Sequence, residues 1–146
     1  MTNIPILNKN VQKVHEWLND IQDYAGWERD EDAAALAILR ATLHELRDHI
    51  PLNDLAHFSA QLPLIIRGLL FESWDPSSTL ISERHLDDFL ERISDSLPEI
   101  YRYIDVENAV KAVISTLQAK LGIGGMEKIQ KNLPHSIREI FVRELI

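Results

Sequence analysis

Six histidines and 23 acidic residues supply the raw material for metal or acid–base chemistry, and their densest grouping is His44, Glu45, Asp48, His49 and His57. At about 100° per residue on a helix, His44 and His49 point about 140° apart and cannot chelate one ion from a single face. His44 with Asp48, or Glu45 with His49, share a face, and both pairs read as i,i+4 partners on a helix surface. Neither Glu-x-x-His nor His-Glu-x-x-His occurs, and there is no cysteine, so no metal site and no metal cofactor is expected. Gly122-Ile123-Gly124-Gly125 ahead of Lys128 could offer backbone N–H groups to a phosphate. The phosphate-loop spacing is not met, and the run reads as a helix stop and turn. Serines are present without a Gly-x-Ser-x-Gly elbow, so no catalytic residue is assigned.

Arg67 and Arg138 stand apart. They close the matching runs Leu62-Pro63-Leu64-Ile65-Ile66-Arg67 and Leu133-Pro134-His135-Ser136-Ile137-Arg138, where a fixed cation could meet a carboxylate of the protein or of a ligand. An acid on a neighbouring helix is the expected partner. Trp17 and Trp27 read as core or connector anchors, and Trp74 as the tryptophan for a contact surface.

Helices must position these groups. Val11, Val14, Leu18 and Ile21 recur at helical spacing, which predicts a first helix from residue 11 to about Tyr24 behind Asn8 or Asn10 as caps. Gly26 breaks it, and Asp30-Glu31-Asp32 opens a second helix whose Leu36, Leu39, Leu43, Leu46 and Ile50 form one buried stripe. Pro51 ends that helix, Asn53 caps a short third one through Ala60, and Pro63 sits in the first turn of a fourth that runs to about Glu72. A shift of 71 residues then lays Leu39, Leu43, Leu46 and Ile50 on Val110, Ile114, Leu117 and Leu121. The expected architecture is therefore all-α: a single domain over 1–146, a compact bundle of about eight short helices made of two tandem related repeats (11–72 and 83–144) joined by a connector, 73–82.

The runs Leu43-His44-Glu45-Leu46-Arg47-Asp48-His49-Ile50-Pro51, Ala60-Gln61-Leu62-Pro63-Leu64-Ile65-Ile66-Arg67-Gly68 and Glu72-Ser73-Trp74 resemble the bacterial family known as domain of unknown function 2267. The resemblance covers most of the chain and implies two related helical halves, each with a Leu-Pro element before its last helix. It supplies no catalytic residue. Its recurring positions are Gln61, Pro63, Arg67, Glu72 and Trp74, and Ser73 stands where that pattern often has glycine.

Composition excludes more than it assigns. Hydrophobic residues make up 45% of the chain and charged residues 26%, the balance of a self-sufficient globular core. A formal charge of −8 repels a phosphate backbone, so no nucleic-acid partner is expected. The longest apolar run, Leu62 to Phe71, is interrupted by Arg67 and Gly68 and is half the length of a bilayer span. With no export signal at its start, the chain is expected in the cytoplasm, away from membranes. The expected function is a non-enzymatic protein-interaction or structural module, self-associating or with a protein partner. The alternative is a protein that binds an acidic small molecule between its repeats. Binding candidates are Arg67, Arg138, Gln61, Glu72 and Trp74.

Overall fold

The computed structural model describes residues 1–82 and 85–141, and every regular element among them is helical. In chain order these are α1 (Pro5–Ala25), α2 (Asp32–Arg47), α3 (Leu52–Ala60), α4 (Leu64–Phe71), α5 (Leu86–Ser96), a 3₁₀ turn (Glu99–Tyr101), α6 (Val106–Asn132) and a second 3₁₀ turn (Ile137–Ile140). About eight short helices were expected. The described residues hold six α-helical elements, the last of them two helices joined across a kink at Gly122, and two 3₁₀ turns. The ends of the second expected repeat, residues 83–84 and 142–144, lie outside the described residues. No described helix is long and apolar enough to cross a membrane.

Local chemistry sets the boundaries. Pro5 occupies the first turn of α1, where a missing N–H costs nothing. The helix therefore starts six residues before the predicted position, and Asn8 and Asn10 lie inside it rather than capping it. Asn8 instead clasps Thr2, accepting from its N–H at 3.0 Å and donating to its carbonyl at 2.8 Å. At the other end Gly26 adopts φ 75°, and the Trp27 N–H returns to the Gln22 carbonyl at 2.9 Å, the left-handed closure that glycine permits. Pro51 and Pro63 both precede their helices at ψ near 150°. Neither Asn53 nor Pro63 takes the capping or first-turn place expected of it, because each helix starts one residue away from it.

α2 is the hub, packing against α1, α4, α5 and α6. Its Ala34, Ala35, Ile38, Leu39, Leu43 and Leu46 are buried, whereas Leu36 of the predicted stripe is exposed. α1 and α6 run antiparallel: Asn108 donates to the Ala25 carbonyl at 3.0 Å, and further along Lys120 meets Asp20 at 2.8 Å and lies over the Trp17 ring. At Gly122 (φ 75°, ψ 178°) α6 bends, and beyond it Met126 and Ile129 complete a core shared with α3. Gly122 has non-helical backbone angles, so α6 consists of two helices joined across a kink where the sequence placed a helix stop and turn.

Ser73, which follows α4, has φ 57° and is the one described non-glycine residue in the left-handed region, where a Cβ costs about 1–2 kcal/mol. Ser73→Gly relieves that cost at a smaller loss of chain entropy. We expect it to stabilise the protein by about 0.5–1 kcal/mol in urea unfolding; a destabilised variant would contradict this account of the turn.

Candidate functional site

The polar groups of the chain collect at helix ends. On α2, Arg40, His44 and Arg47 follow one another at spacings of four and three, so they share an edge. That edge faces the last turn of α4. His44 Nε2 lies 2.7 Å from the Leu69 carbonyl, and Arg47 Nη1 donates to the carbonyls of Leu70 at 3.0 Å and Glu72 at 2.9 Å. Arg40 Nη2 donates to the Glu72 carboxylate at 2.8 Å. Two side chains of α2, His44 and Arg47, thereby serve the C-terminal carbonyls of α4, and Arg40 pairs with the Glu72 carboxylate beside them, where positive charge also meets the negative end of the helix dipole. Glu72, a binding candidate from sequence, is drawn into this set.

Arg67 and Arg138 have a parallel arrangement. Arg67 Nε donates to the Ser59 carbonyl at 3.0 Å and Nη2 to those of Leu62 at 3.2 Å and Ala60 at 3.5 Å. Arg138 Nε donates to the Leu133 carbonyl at 2.9 Å and Nη2 to that of Lys131 at 3.2 Å. The partners named are main-chain carbonyls, not the carboxylate expected from sequence. A third arginine, missed in the sequence, does the same: Arg102 Nε donates to Leu97 at 3.4 Å and Nη2 to Asp95 at 3.2 Å. The signal was present as Leu97-Pro98-Glu99-Ile100-Tyr101-Arg102, the same Leu-Pro-x-x-x-Arg spacing. In each case the helix stops before the proline, which has no N–H to offer the preceding turn. The arginine five residues after the leucine supplies the missing donors.

The other sequence candidates disperse. Gln61 is exposed beside the α6 bend, its Nε2 3.5 Å from the Gly125 carbonyl and 3.4 Å from that of His57. Trp74 stacks at a tilt on Phe71, with ring centroids 5.0 Å apart. Glu45 and His49, expected on the surface, are buried. His49 Nε2 lies 3.0 Å from Glu45 Oε2, which also accepts from Arg92 Nε of α5 at 2.7 Å, and the His49 ring leans on Phe89. A guanidinium on the same oxygen neutralises the carboxylate that a metal would need. Among the described residues no group of three or more His, Cys, Asp or Glu could hold a metal ion. Lys128 pairs with Asp54 at 3.5 Å, and Asn132 donates to the same carboxylate at 2.8 Å; these partners hold the Asp54 carboxyl below its ordinary range.

Among the described residues, cavities at three places bear on these groups. One of about 180 Å³ lies where the connector crosses the end of α2, between Arg47, Asp48 and Trp74, and is tied down by the Ile81 N–H on the Asp48 carbonyl at 2.9 Å. A second of about 180 Å³ lies between α2 and the corner after α5, lined by Arg40, His44, Ser96 and Pro98. The third, about 210 Å³, is lined by Trp27, Glu28, Glu31, Tyr103, Ile104 and Asp105. Neither Arg67 nor Arg138 lines any of the three.

Two predictions follow from these helix ends. Arg67→Ala leaves partly buried carbonyls without a donor and should lower unfolding stability by about 1–2 kcal/mol. Arg102→Ala and Arg138→Ala should act in the same direction, and three unaffected variants in urea titrations would refute the capping role. Burial, set against the bond to Leu69, pushes His44 below its ordinary value of 6.5. Below that value the unfolded chain therefore binds the proton more readily than the folded one, so stability falls as pH drops through and below 6.5. Denaturation at pH 7.5 and 5.5 should show the loss, and His44→Gln should reduce it.

A comparison with curated proteins finds no match. The family model described as "Uncharacterized conserved protein (DUF2267)" matches residues 14–140, which takes in α2 through α6, all three arginine-capped corners and most of α1. On that match the chain belongs to the DUF2267 family.

Proposed function

We propose that this protein is a non-enzymatic helical module that docks other proteins through the exposed start of α1. One observation carries the reading. Ile4, Leu7, Val11, Val14, Leu18 and Ile21 recur at spacings of three and four along one face. Leu18 and Ile21 are 5% and 0% exposed, but Leu7 and Val11 are 45% and 36% exposed, with Ile4 at 52%. The stripe that packs the bundle thus runs on for two further turns towards the start of α1, where it becomes steadily more exposed. A continuous exposed apolar stripe points to a partner, whereas scattered apolar residues do not. Lys9 carries positive charge beside this stripe, while Lys13 pairs with Glu16 at 3.8 Å, so the partner surface that suits the start of α1 is apolar with an acidic group facing Lys9.

The same reading is supported by the internal pairing of the charged groups: Arg67, Arg138, the buried Glu45 and His49, and Asp54 all have partners within the protein. Binding of an acidic small molecule loses its main support, because Nε and Nη2 of both Arg67 and Arg138 serve main-chain carbonyls. Internal duplication remains part of the proposal, with a shorter unit than the 71-residue shift. Leu62, Leu97 and Leu133 stand 35 and 36 residues apart, each opening a Leu-Pro-x-x-x-Arg run. The matching arginine bonds support such a unit.

The docking surface is tested by Leu7→Glu combined with Val11→Glu. Both positions are already solvated, so far-UV circular dichroism and the melting temperature should stay close to wild type. Association, read by chemical cross-linking and by light scattering, should be lost. A double variant that associates as well as wild type would sink the proposal.

A further inference from the structure

The 21 residues of α1 span about 30 Å and carry opposite chemistry at the two ends. At the N-terminal end Ile4, Ile6 and Leu7 are exposed and Lys9 provides positive charge, while Lys13 pairs with Glu16 at 3.8 Å. The first turn holds no acid, and the capping residue is Ile4, with no side-chain bond to the free N–H groups. The positive end of the helix dipole is therefore left unbalanced by local side chains.

The C-terminal end is its complement. The left-handed turn at Gly26 delivers Trp27 to the lip of the cavity of about 210 Å³, whose remaining walls are Glu28, Glu31, Tyr103, Ile104 and Asp105. Three carboxylates and two aromatic rings line it, with no lysine or arginine. Two of the acids also brace the walls. Glu31 accepts from the Tyr103 hydroxyl at 3.0 Å, and Asp105 caps α6 by accepting from the Asn108 N–H at 3.3 Å. Glu28 has no ion pair among the described residues and faces solvent.

We propose that this cavity receives the N-terminal end of α1 from a second copy of the chain, so that copies assemble head to tail. The inference rests on the docking role of α1 given above and names its partner. A molecule cannot fill its own cavity, since the rigid helix holds the two surfaces a helix length apart. Leu7 and Lys9 lie on opposite sides of α1. A helix end seated on the rim thus inserts an apolar side chain between Trp27 and Tyr103, a cavity of about 210 Å³ holding a side chain rather than a helix, and offers an ammonium to Glu28. Because the two surfaces differ, the contact is heterologous and leaves a free end of each kind on every assembly. Contact between a basic helix end and a carboxylate rim weakens as salt screens it.

Two blocked variants test the arrangement. Leu7→Glu with Lys9→Glu disables the helix end, and Glu28→Lys with Tyr103→Lys disables the cavity; all four positions are exposed or nearly so, and circular dichroism verifies folding. In sedimentation from micromolar to near-millimolar concentration, wild-type mass should rise with concentration in low salt and fall back in molar sodium chloride. Each variant alone should remain at 16.8 kDa. An equimolar mixture should stop at twice that mass, because only one intact contact can form. A wild type that stays monomeric throughout overturns the head-to-tail contact, as does a mixture without the dimer or a single variant that dimerises alone. If wild type is monomeric yet Leu7→Glu with Val11→Glu abolishes cross-linking to a different protein, only the choice of partner has failed.

Discussion

Short helices end often, and each end leaves carbonyl groups that the helix itself cannot satisfy. That constraint organises most of the polar structure of this protein. α1 closes on the Gly26 turn and on Asn108, α3 on Arg67, α4 on His44 and Arg47, α5 on Arg102 and α6 on Arg138. α2 ends in successive short-range bonds from Asp48, His49 and Ile50, and its Asp48 carbonyl takes the connector N–H of Ile81. The apolar stripes determine which helices meet. The donors at the corners determine where each can stop, and three of those donors come from one repeated sequence pattern.

The buried polar group on α2 has a different task. Glu45 reaches Arg92 of α5, while His49 shares the same carboxylate and packs on Phe89. This links the central helix of the first half to the opening helix of the second through charge as well as apolar contact. Breaking one member of such a set leaves a charge buried without compensation.

The fold was legible where one residue decides locally. Gly26 ends α1 as read, whereas α2 stops at Arg47, so Pro51 opens α3 rather than ending α2 and Ile50 is buried beyond the helix; Leu36 of the stripe is exposed, because periodicity reports a face but not the width of its neighbours. The misses involve choices settled by tertiary context. Two asparagines looked like caps, yet Pro5 upstream could start the helix earlier, and nothing local says which wins. Glu45 and His49 have the spacing of a surface pair and became buried because α5 brings Phe89 and Arg92 over them. Arg67 and Arg138 were found through their repetition, while Arg102 was overlooked because its run lies inside the second expected repeat and the 71-residue shift lays it on Gly26 to Glu31, where no Leu-Pro stands. Their shared role was hidden, since a carbonyl acceptor leaves no mark in a side-chain sequence.

The bend at Gly122 gives one dihedral pair unusual angular leverage. Its φ of 75° with ψ of 178° belongs to a region that glycine alone reaches readily. Ahead of it α6 follows α1; behind it, Met126 and Ile129 face the core beside α3. Along a helix each residue of slippage turns a side chain by about 100°, so inserting or deleting a single residue at this corner would swing the whole second segment off its partner. The corner therefore works as an index mark that keeps two helix faces in phase.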